Sequence, residues 1–238
     1  MLSLIIPACD EELRIRETIR DLQTLKDTEL IVVCNGCTDR TPDIARLLGA
    51  KVMELKERNK GHAVLAGIDA AKSNPDSDIV GFIDADGAFN SNTVRMLVRE
   101  MADSDMIIAS KWKGRSFSSA YGSTGRKIAS RMWNWLARHL LGLDFYDTQA
   151  GLKLMRREIL GKIGTDFLCT GFAFDAELLY RVKKAGGNIK EVYAPVQEIK
   201  NKGTSFSIVR TPGMLRSLLK LWLREKLKKK FKRSKGRE

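Results

Sequence analysis

Two carboxylates separated by one residue follow an apolar run near the middle of the chain. Residues 79–83 read IVGFI, and Asp84 and Asp86 come directly after them. Carboxylate oxygens suit Mg²⁺ or Mn²⁺, and a protein magnesium site commonly adds substrate phosphate oxygens to one or two carboxylates. A divalent cation here would act as a Lewis acid and a template for a diphosphate leaving group. A structural capping pair before the next helix is the alternative interpretation.

Polar residues also follow two earlier apolar runs. Asp10 and Glu12 come after residues 2–7, and an Asn- and Asp-containing cluster at residues 35–39 comes after residues 29–33. In open α/β sheets, ligands bind beyond the carboxyl ends of the strands. We therefore expect these clusters and the two carboxylates to form one site, although loops in general are polar.

The alternation of short apolar runs with helical periodicity predicts an α/β fold with a mainly parallel, doubly wound sheet. The second half of the chain is less regular, and residues 111–124 are predicted to form a loop rich in serine, glycine and basic residues. Strands are predicted at residues 2–7, 29–33, 51–55, 79–84, 106–109 and 188–196, and helices at residues 11–25, 41–49, 61–71, 92–101, 125–141 and 175–185.

The composition indicates a globular protein. A chain of 238 residues with 43% hydrophobic and 30% charged residues suits one large α/β domain. No apolar run approaches the roughly 18–20 residues that span a bilayer, and the N-terminus lacks the basic region of a signal peptide. We therefore expect a cytoplasmic protein.

One C-x-x-C pair, Cys34 and Cys37, occurs in the cluster after the second predicted strand. A redox or metal-binding function is one interpretation. We favour two small residues in a tight loop, because no second such pair and no complete ligand set accompany them.

Basic charge is concentrated at the C-terminus. Residues 210–238 carry a net charge of +10, out of +13 for the whole chain. Five apolar residues recur there at every fourth position: Leu215, Leu219, Leu223, Leu227 and Phe231. Most of the basic residues lie at other positions of the predicted helix. This pattern predicts a domain at residues 1–210 and a basic amphipathic helical tail at residues 211–238 that binds an anionic membrane surface. A helix packed on the domain is the alternative; nucleic-acid binding is not expected, because no nucleic-acid module is recognisable.

Six segments in order give the chain a resemblance to family 2 glycosyltransferases with the GT-A fold, and within them to the dolichyl-phosphate (polyprenyl-phosphate) glucosyl- and mannosyltransferases. The segments are LIIPACDEE, CNGCTDRT, KGHAVLAGIDAA, DADGA, DTQAGLKLMRRE and FAFDAELLYRVKKAG. The resemblance covers about residues 2–210. It implies a metal-dependent, inverting transfer of a hexose from a UDP- or GDP-sugar to a polyprenyl phosphate at the cytoplasmic face of a membrane.

The same resemblance implies functions for individual residues. Cys34 and Asn35 stand where the family usually has two aspartates, which leaves the nucleotide base open. The residues implied to bind the nucleotide sugar are Pro7, Asp10, Glu12, Asn35, Asp39 and Asp84. The implied metal ligands are Asp86 and Asp84. The residues implied for the acceptor-phosphate side are Lys111, Arg126, Ser130, Asp147, Gln149, Gly151 and Lys153.

Asp175 stands where other family members carry a catalytic base, so Asp84, Asp86 and Asp175 are the implied catalytic residues. A helix N-cap or an orienting residue is the alternative interpretation of Asp175. An alcohol acceptor needs a general base, whereas a lipid phosphate is already anionic and needs only positioning and metal assistance. Lys111, Arg115 and Arg126 could then hold the phosphate, or simply form a solvated basic surface.

Two other functions stay open on the sequence: transfer to a soluble alcohol, and a catalytically silent protein that binds nucleotides or membranes. The expected location is cytoplasmic and peripherally membrane-associated. Either the tail or a membrane-protein partner could bring the chain to its lipid.

Overall fold

A seven-stranded sheet forms the centre of the protein in a computed structural model that describes residues 1–114, 124–171, 173–197 and 211–235. The strands are β1 (Leu2–Ala8), β2 (Thr28–Asn35), β3 (Lys51–Leu55), β4 (Ile79–Ile83), β5 (Met106–Ser110), β6 (Leu152–Arg156) and β7 (Ile189–Tyr193). Their order across the sheet is β3-β2-β1-β4-β6-β5-β7. Every pairing is parallel except those of β6, which runs antiparallel to both β4 and β5.

Helices cover both faces of this sheet. The helices are α1 (Ile15–Leu22), α2 (Thr41–Leu47), α3 (Lys60–Lys72), α4 (Ser91–Glu100), α5 (Thr124–Leu141), α6 (Arg157–Ile163), α7 (Phe174–Lys184) and α8 (Thr211–Lys235). One hydrophobic core lies between the sheet and α1, α2 and α4, and the other between the sheet and α3, α5, α6, α7 and α8. The strands nearest the centre are buried on both sides, as parallel strands between helical layers require.

The predicted α/β fold is confirmed, and most predicted elements differ from the observed ones by one to four residues. The first helix begins at Ile15 rather than residue 11, because the chain first makes a turn in which the Arg14 and Ile15 amides donate to the Glu11 carbonyl. The prediction missed β6 and α6. Lys153, the second of the five residues of β6, interrupts the apolar pattern that identifies a buried strand.

The reversed direction of β6 matters for any site at the carboxyl edge of the sheet. Its first residue, Leu152, pairs with Ile83 at the end of β4. The amino end of β6 therefore lies beside the carboxyl end of β4, and the segment that leads into β6 reaches the edge where ligands of α/β proteins bind.

Helix α8 packs on the domain. Met214, Leu218 and Leu221 are buried on this side of the helix, in the same core as α5 and α7. The Arg224 guanidinium also lies 3.0 Å from Asp166 Oδ2, and the Tyr180 hydroxyl donates to Glu225 at 2.9 Å.

The leucine stripe predicted from the sequence faces elsewhere. The exposed fractions of its described members are 39% for Leu215 and Leu219, 52% for Leu223 and 65% for Leu227. The helix thus has a core-facing side and a separate, exposed apolar side.

Leu218→Ala should lower the free energy of unfolding by about 2–4 kcal/mol, because it removes a fully buried side chain from a packed core. Leu219→Ala is the matched control, since that side chain is 39% exposed and its loss should cost less than about 1 kcal/mol. Urea unfolding of both variants measures the difference. Equal effects would contradict the packing of α8 on the domain.

Candidate active site

The two carboxylates predicted from the sequence lie at the carboxyl end of β4. The Asp84 amide donates to the Gly151 carbonyl at 2.8 Å, which joins the end of β4 to the segment that enters β6. Asp86 accepts a hydrogen bond from the Ala88 amide at 3.0 Å across a turn in which Gly87 has a φ of 74°. The turn after Asp84 is also fixed from α1, where the Thr18 hydroxyl donates to the Ala85 carbonyl at 3.1 Å.

Lys60 is the principal cation beside these carboxylates, and the sequence analysis assigned it no function. Its Nζ lies 2.7 Å from Asp84 Oδ1 and 3.7 Å from Asp175 Oδ2. Burial disfavours the charged form of Lys60, but the carboxylates of Asp175 and Asp84 outweigh that effect and raise its pKa. The Asn59-Lys60-Gly61 sequence could have indicated the position of Lys60, because asparagine is a common N-cap and so places Lys60 at the first residue of α3.

A close approach of two backbones sets the position of Lys60. The Gly61 amide donates to the Thr170 carbonyl at 2.7 Å, and a Cβ on Gly61 would lie only 2.2 Å from that oxygen. The Asn59 side chain also donates to the Thr170 hydroxyl at 3.0 Å. These two hydrogen bonds hold the start of α3 against the segment that leads into α7.

Asp175 and Lys153 form a buried ion pair behind the carboxylates of β4. Lys153 Nζ lies 2.6 Å from Asp175 Oδ1 and 2.6 Å from the Ala150 carbonyl oxygen. Burial lowers the pKa of Lys153, and the Asp175 carboxylate opposes this change. The Lys153 side chain has no exposed surface and Asp175 only 2%. Lys153 therefore pairs with Asp175 in the protein interior. This position differs from the phosphate-contacting position implied by the family resemblance.

The residues implied to line the nucleotide pocket come from two loops that hydrogen-bond to each other. Asp10, with a φ of 54°, accepts from the Thr38 amide at 2.7 Å and pairs with Arg58. The hydrogen bond from Thr38 lowers the pKa of Asp10. Asp39 accepts from the Glu12 amide at 3.0 Å.

The two remaining members of this set are strand residues. Asn35 is buried at the end of β2, and Pro7 is buried within β1 opposite Val33. The structure therefore brings Asp10, Glu12 and Asp39 together in neighbouring loops, whereas Pro7 is a buried strand residue within the sheet.

The residues implied for the acceptor side form two groups of contacts, one around Asp147 and one around Ser130. Lys111 and Gln149 both approach Asp147, since their amides lie 3.4 and 3.3 Å from its two carboxylate oxygens. Asp147 is itself buried, and its amide donates to Glu191 at 2.9 Å. Ser130 on α5 accepts from the Trp112 indole at 3.3 Å. Arg115 and the side chain of Arg126 lie outside the part of the chain that is described.

The chemistry of the Asp84–Asp86 edge fits a divalent cation. Burial, with the negative charge of Asp84 added, raises the pKa of Asp86. A hard cation that binds to both carboxylates offsets this unfavourable negative charge. Asp84 and Asp86 are thus the residues that would hold Mg²⁺ or Mn²⁺.

The chain is similar in sequence to known glycosyltransferases. Residues 3–164 match the model of the family described as "Glycosyl transferase family 2". The chain is 28% identical over 230 residues to a dolichyl-phosphate hexose transferase of Haloferax volcanii, covering 95% of this chain and 96% of that protein. It is 29% identical over 249 residues to a dolichyl-phosphate beta-glucosyltransferase of Drosophila melanogaster, covering 94% of this chain and 74% of that one.

Among solved structures, glucosyl-3-phosphoglycerate synthase of Mycobacterium tuberculosis, in complex with Mn²⁺, UDP and glucosyl-3-phosphoglycerate, superposes with a TM-score of 0.68. The identity is 22%, and the match covers 92% of this chain and 77% of that one. This similarity establishes the GT-A-like fold.

The mainly parallel sheet has the GT-A-like fold, and Asp84 and Asp86 form a D-x-D turn at its carboxyl edge. The family model matches more than half of the chain, so the protein belongs to glycosyl transferase family 2 and is a glycosyltransferase. The resemblance to dolichyl-phosphate hexosyltransferases inferred from the motifs is confirmed.

Gly151→Ala should impair turnover about tenfold or more without unfolding the protein. A Cβ at this position would lie 2.5 Å from Asp84 Oδ2 and 3.0 Å from its Cγ, so the carboxylate must move away from Lys60. The matched control is Gly161→Ala in α6, where a Cβ meets nothing within 4 Å. Nucleotide release and thermal unfolding of both variants are the measurements. Wild-type turnover in Gly151→Ala would show that the position of Asp84 is unimportant.

Proposed function

We propose that this glycosyltransferase moves a hexose from a UDP- or GDP-sugar to a polyprenyl phosphate at a membrane surface, with Mg²⁺ or Mn²⁺ as cofactor. Two relatives named for dolichyl-phosphate substrates, one matched over nearly its full length, support the acceptor. The solved neighbours that contain Mn²⁺ or Mg²⁺ together with UDP support the donor type and the cofactor.

The observation that carries the acceptor assignment is the burial of Asp175. Both of its oxygens face lysine ammonium groups, and only 2% of its side chain is exposed. A carboxylate held in this way is a poor general base for an incoming alcohol, because a base must lie within hydrogen-bond reach of the hydroxyl and both oxygens of Asp175 are buried against lysines. An acceptor that arrives as an anion needs no such base.

In the proposed reaction, a phosphate oxygen of the acceptor forms a bond to the anomeric carbon while the bond to the nucleotide diphosphate breaks. The anomeric configuration inverts, so an α-linked donor gives a β-linked product. A bound divalent cation would neutralise charge on the diphosphate leaving group. Asp84 and Asp86 would hold that cation, and Lys60 keeps Asp84 in a single orientation through their 2.7 Å contact.

An exposed apolar surface on two helices supports action at a membrane. The described residues include 13 exposed large hydrophobic side chains, and seven of them lie on α5 and α8, which pack against each other. We name them the α5–α8 apolar surface; its members are Ile128, Met132, Trp135, Leu215, Leu219, Leu223 and Leu227. Clustered exposed apolar side chains on a protein surface mark sites that bind membranes or other proteins.

Basic side chains accompany this surface. Arg131 and Arg138 lie on α5, and Arg216 and Lys220 are exposed on α8. Apolar insertion with flanking positive charge is the pattern of helices that lie in the interface of an anionic bilayer, where each basic residue contributes about 1 kcal/mol. No helix within the described ranges is long and apolar enough to cross a membrane. We therefore propose peripheral attachment through this surface.

A nucleotide-release assay tests the proposed reaction. UDP- and GDP-glucose and -mannose are supplied with Mg²⁺ or Mn²⁺, with a polyprenyl phosphate, with phosphoglyceric acid or with no acceptor. We expect release that requires both the polyprenyl phosphate and the metal. Release that depends on phosphoglyceric acid instead would favour a soluble acceptor, and absence of donor binding would favour a catalytically silent protein.

Asp86→Ala should reduce the metal-dependent release about 100-fold or more, because it removes a proposed metal ligand. Asp76→Ala is the control, since Asp76 is an exposed carboxylate just before β4. Circular dichroism of both variants verifies the fold. Full activity in Asp86→Ala would rule out this residue as a metal ligand.

Replacing Leu219 and Leu223 together by Glu should weaken binding to phosphatidylglycerol vesicles about tenfold or more, since two apolar anchors become charged. Leu47→Glu is the control, because Leu47 is 77% exposed on α2, away from this surface. Vesicle co-sedimentation measures binding, and light scattering measures the oligomeric mass. Unchanged vesicle binding, or a dimer that the double variant dissociates, would contradict membrane attachment.

A further inference from the structure

The thiols of Cys34 and Cys37 lie together at the edge of the proposed nucleotide pocket. Cys34 ends the apolar part of β2 and is buried, whereas Cys37 lies in the following loop and is partly exposed. The Cys37 thiol donates to the Ala8 carbonyl oxygen at 3.4 Å, and Ala8 is the residue of β1 that pairs with Cys34. Cys37 also packs against the core cluster that contains Cys34. Gly36, between them, has a φ of 68°, which turns the loop back toward the strand.

This pair is unlike a solitary buried thiol. Cys169 is also buried, and its thiol contacts the Ser217 carbonyl oxygen of α8 at 3.5 Å and the Glu177 carboxylate. In the proposed pocket, by contrast, one thiol is partly exposed, and it packs against the core cluster that contains the second, buried thiol. That arrangement provides both the attacking and the resolving sulfur of a disulfide.

We propose that Cys34 and Cys37 form a redox-modification site that a small-molecule disulfide converts into an intramolecular disulfide. The Cys37 thiolate attacks one sulfur of the small disulfide, which forms a mixed disulfide and releases one thiol. Cys34 then loses its proton and attacks the Cys37 sulfur, which releases the second thiol. In total, two protein thiols are oxidised and one small disulfide is reduced to two thiols.

The difference in exposure between the two thiols favours this order of attack, because Cys37 is partly exposed and Cys34 is buried. Their mutual interaction raises the pKa of Cys34 and lowers the pKa of Cys37, and the carboxylates of Asp39 and Asp10 oppose that lowering. The more exposed sulfur is therefore the better nucleophile, and the protected one reacts second.

Oxidation would alter the pocket that surrounds the pair. A disulfide removes the proton that Cys37 shares with Ala8, and it draws the loop toward β2. The next residue, Thr38, is the one that holds Asp10 through its amide at 2.7 Å and its hydroxyl at 3.2 Å. Loss of one or two such contacts corresponds to about a tenfold loss in affinity for a ligand of the pocket. This second consequence rests on the proposed nucleotide site, whereas formation of the disulfide does not.

The test uses the full chain, incubated with glutathione disulfide and then analysed by thiol titration and by mass spectrometry of peptides. We expect two of the four thiols to be lost, a cross-link between Cys34 and Cys37, and full recovery with dithiothreitol. Cys34→Ser and Cys37→Ser should each abolish the cross-link, and Cys169→Ser should retain it. Four persisting thiols, stable glutathione adducts, or a cross-link to Cys9 would overturn the proposal.

Titration calorimetry with UDP and GDP, before and after oxidation, measures the effect on the pocket. We expect the dissociation constant of the bound nucleotide to rise about tenfold in the oxidised chain and to return on reduction. A disulfide with unchanged nucleotide affinity would overturn the link to the pocket while leaving the modification site. Absence of nucleotide binding in both states would contradict the proposed function instead.

Discussion

A buried carboxylate between two lysines ties together four parts of the chain. Asp175 lies in the first turn of α7, Lys153 lies inside β6, Lys60 begins α3, and Lys60 in turn contacts Asp84 at the end of β4. Desolvation of these charges is costly, and their mutual attraction offsets it only when the geometry is good. Loss of Asp175 would leave the fully buried Lys153 ammonium without its carboxylate partner, so these elements must keep one arrangement.

The direction of β6 explains why this arrangement lies at the ligand edge. As an antiparallel strand between β4 and β5, it delivers residues 147–151 to the carboxyl ends of its parallel neighbours. The backbone hydrogen bond between Gly151 and Asp84 then joins the segment before β6 to the D-x-D turn. Glycine is required at this junction because the aspartate occupies the space of a Cβ.

Helix α8 combines two apolar sides that the sequence pattern could not separate. Met214, Leu218 and Leu221 fill the core beside α5, and the leucines at every fourth position remain exposed. Because α8 contributes to the core, a proposed membrane-binding surface is held at a fixed orientation to the active-site edge. Attachment by a flexible tail would not fix that orientation.

The sequence by itself determined the alternating α/β pattern, the position of the D-x-D carboxylates and the family, because each depends on local periodicity or on short ordered motifs. Only the tertiary structure identified β6, in which Lys153 interrupts the apolar pattern, and placed Lys60 and Lys153 around Asp175. It also decided which side of α8 is buried. These features depend on contacts between residues as much as 115 positions apart, such as Lys60 and Asp175, and no local pattern encodes a partner that lies elsewhere in the chain.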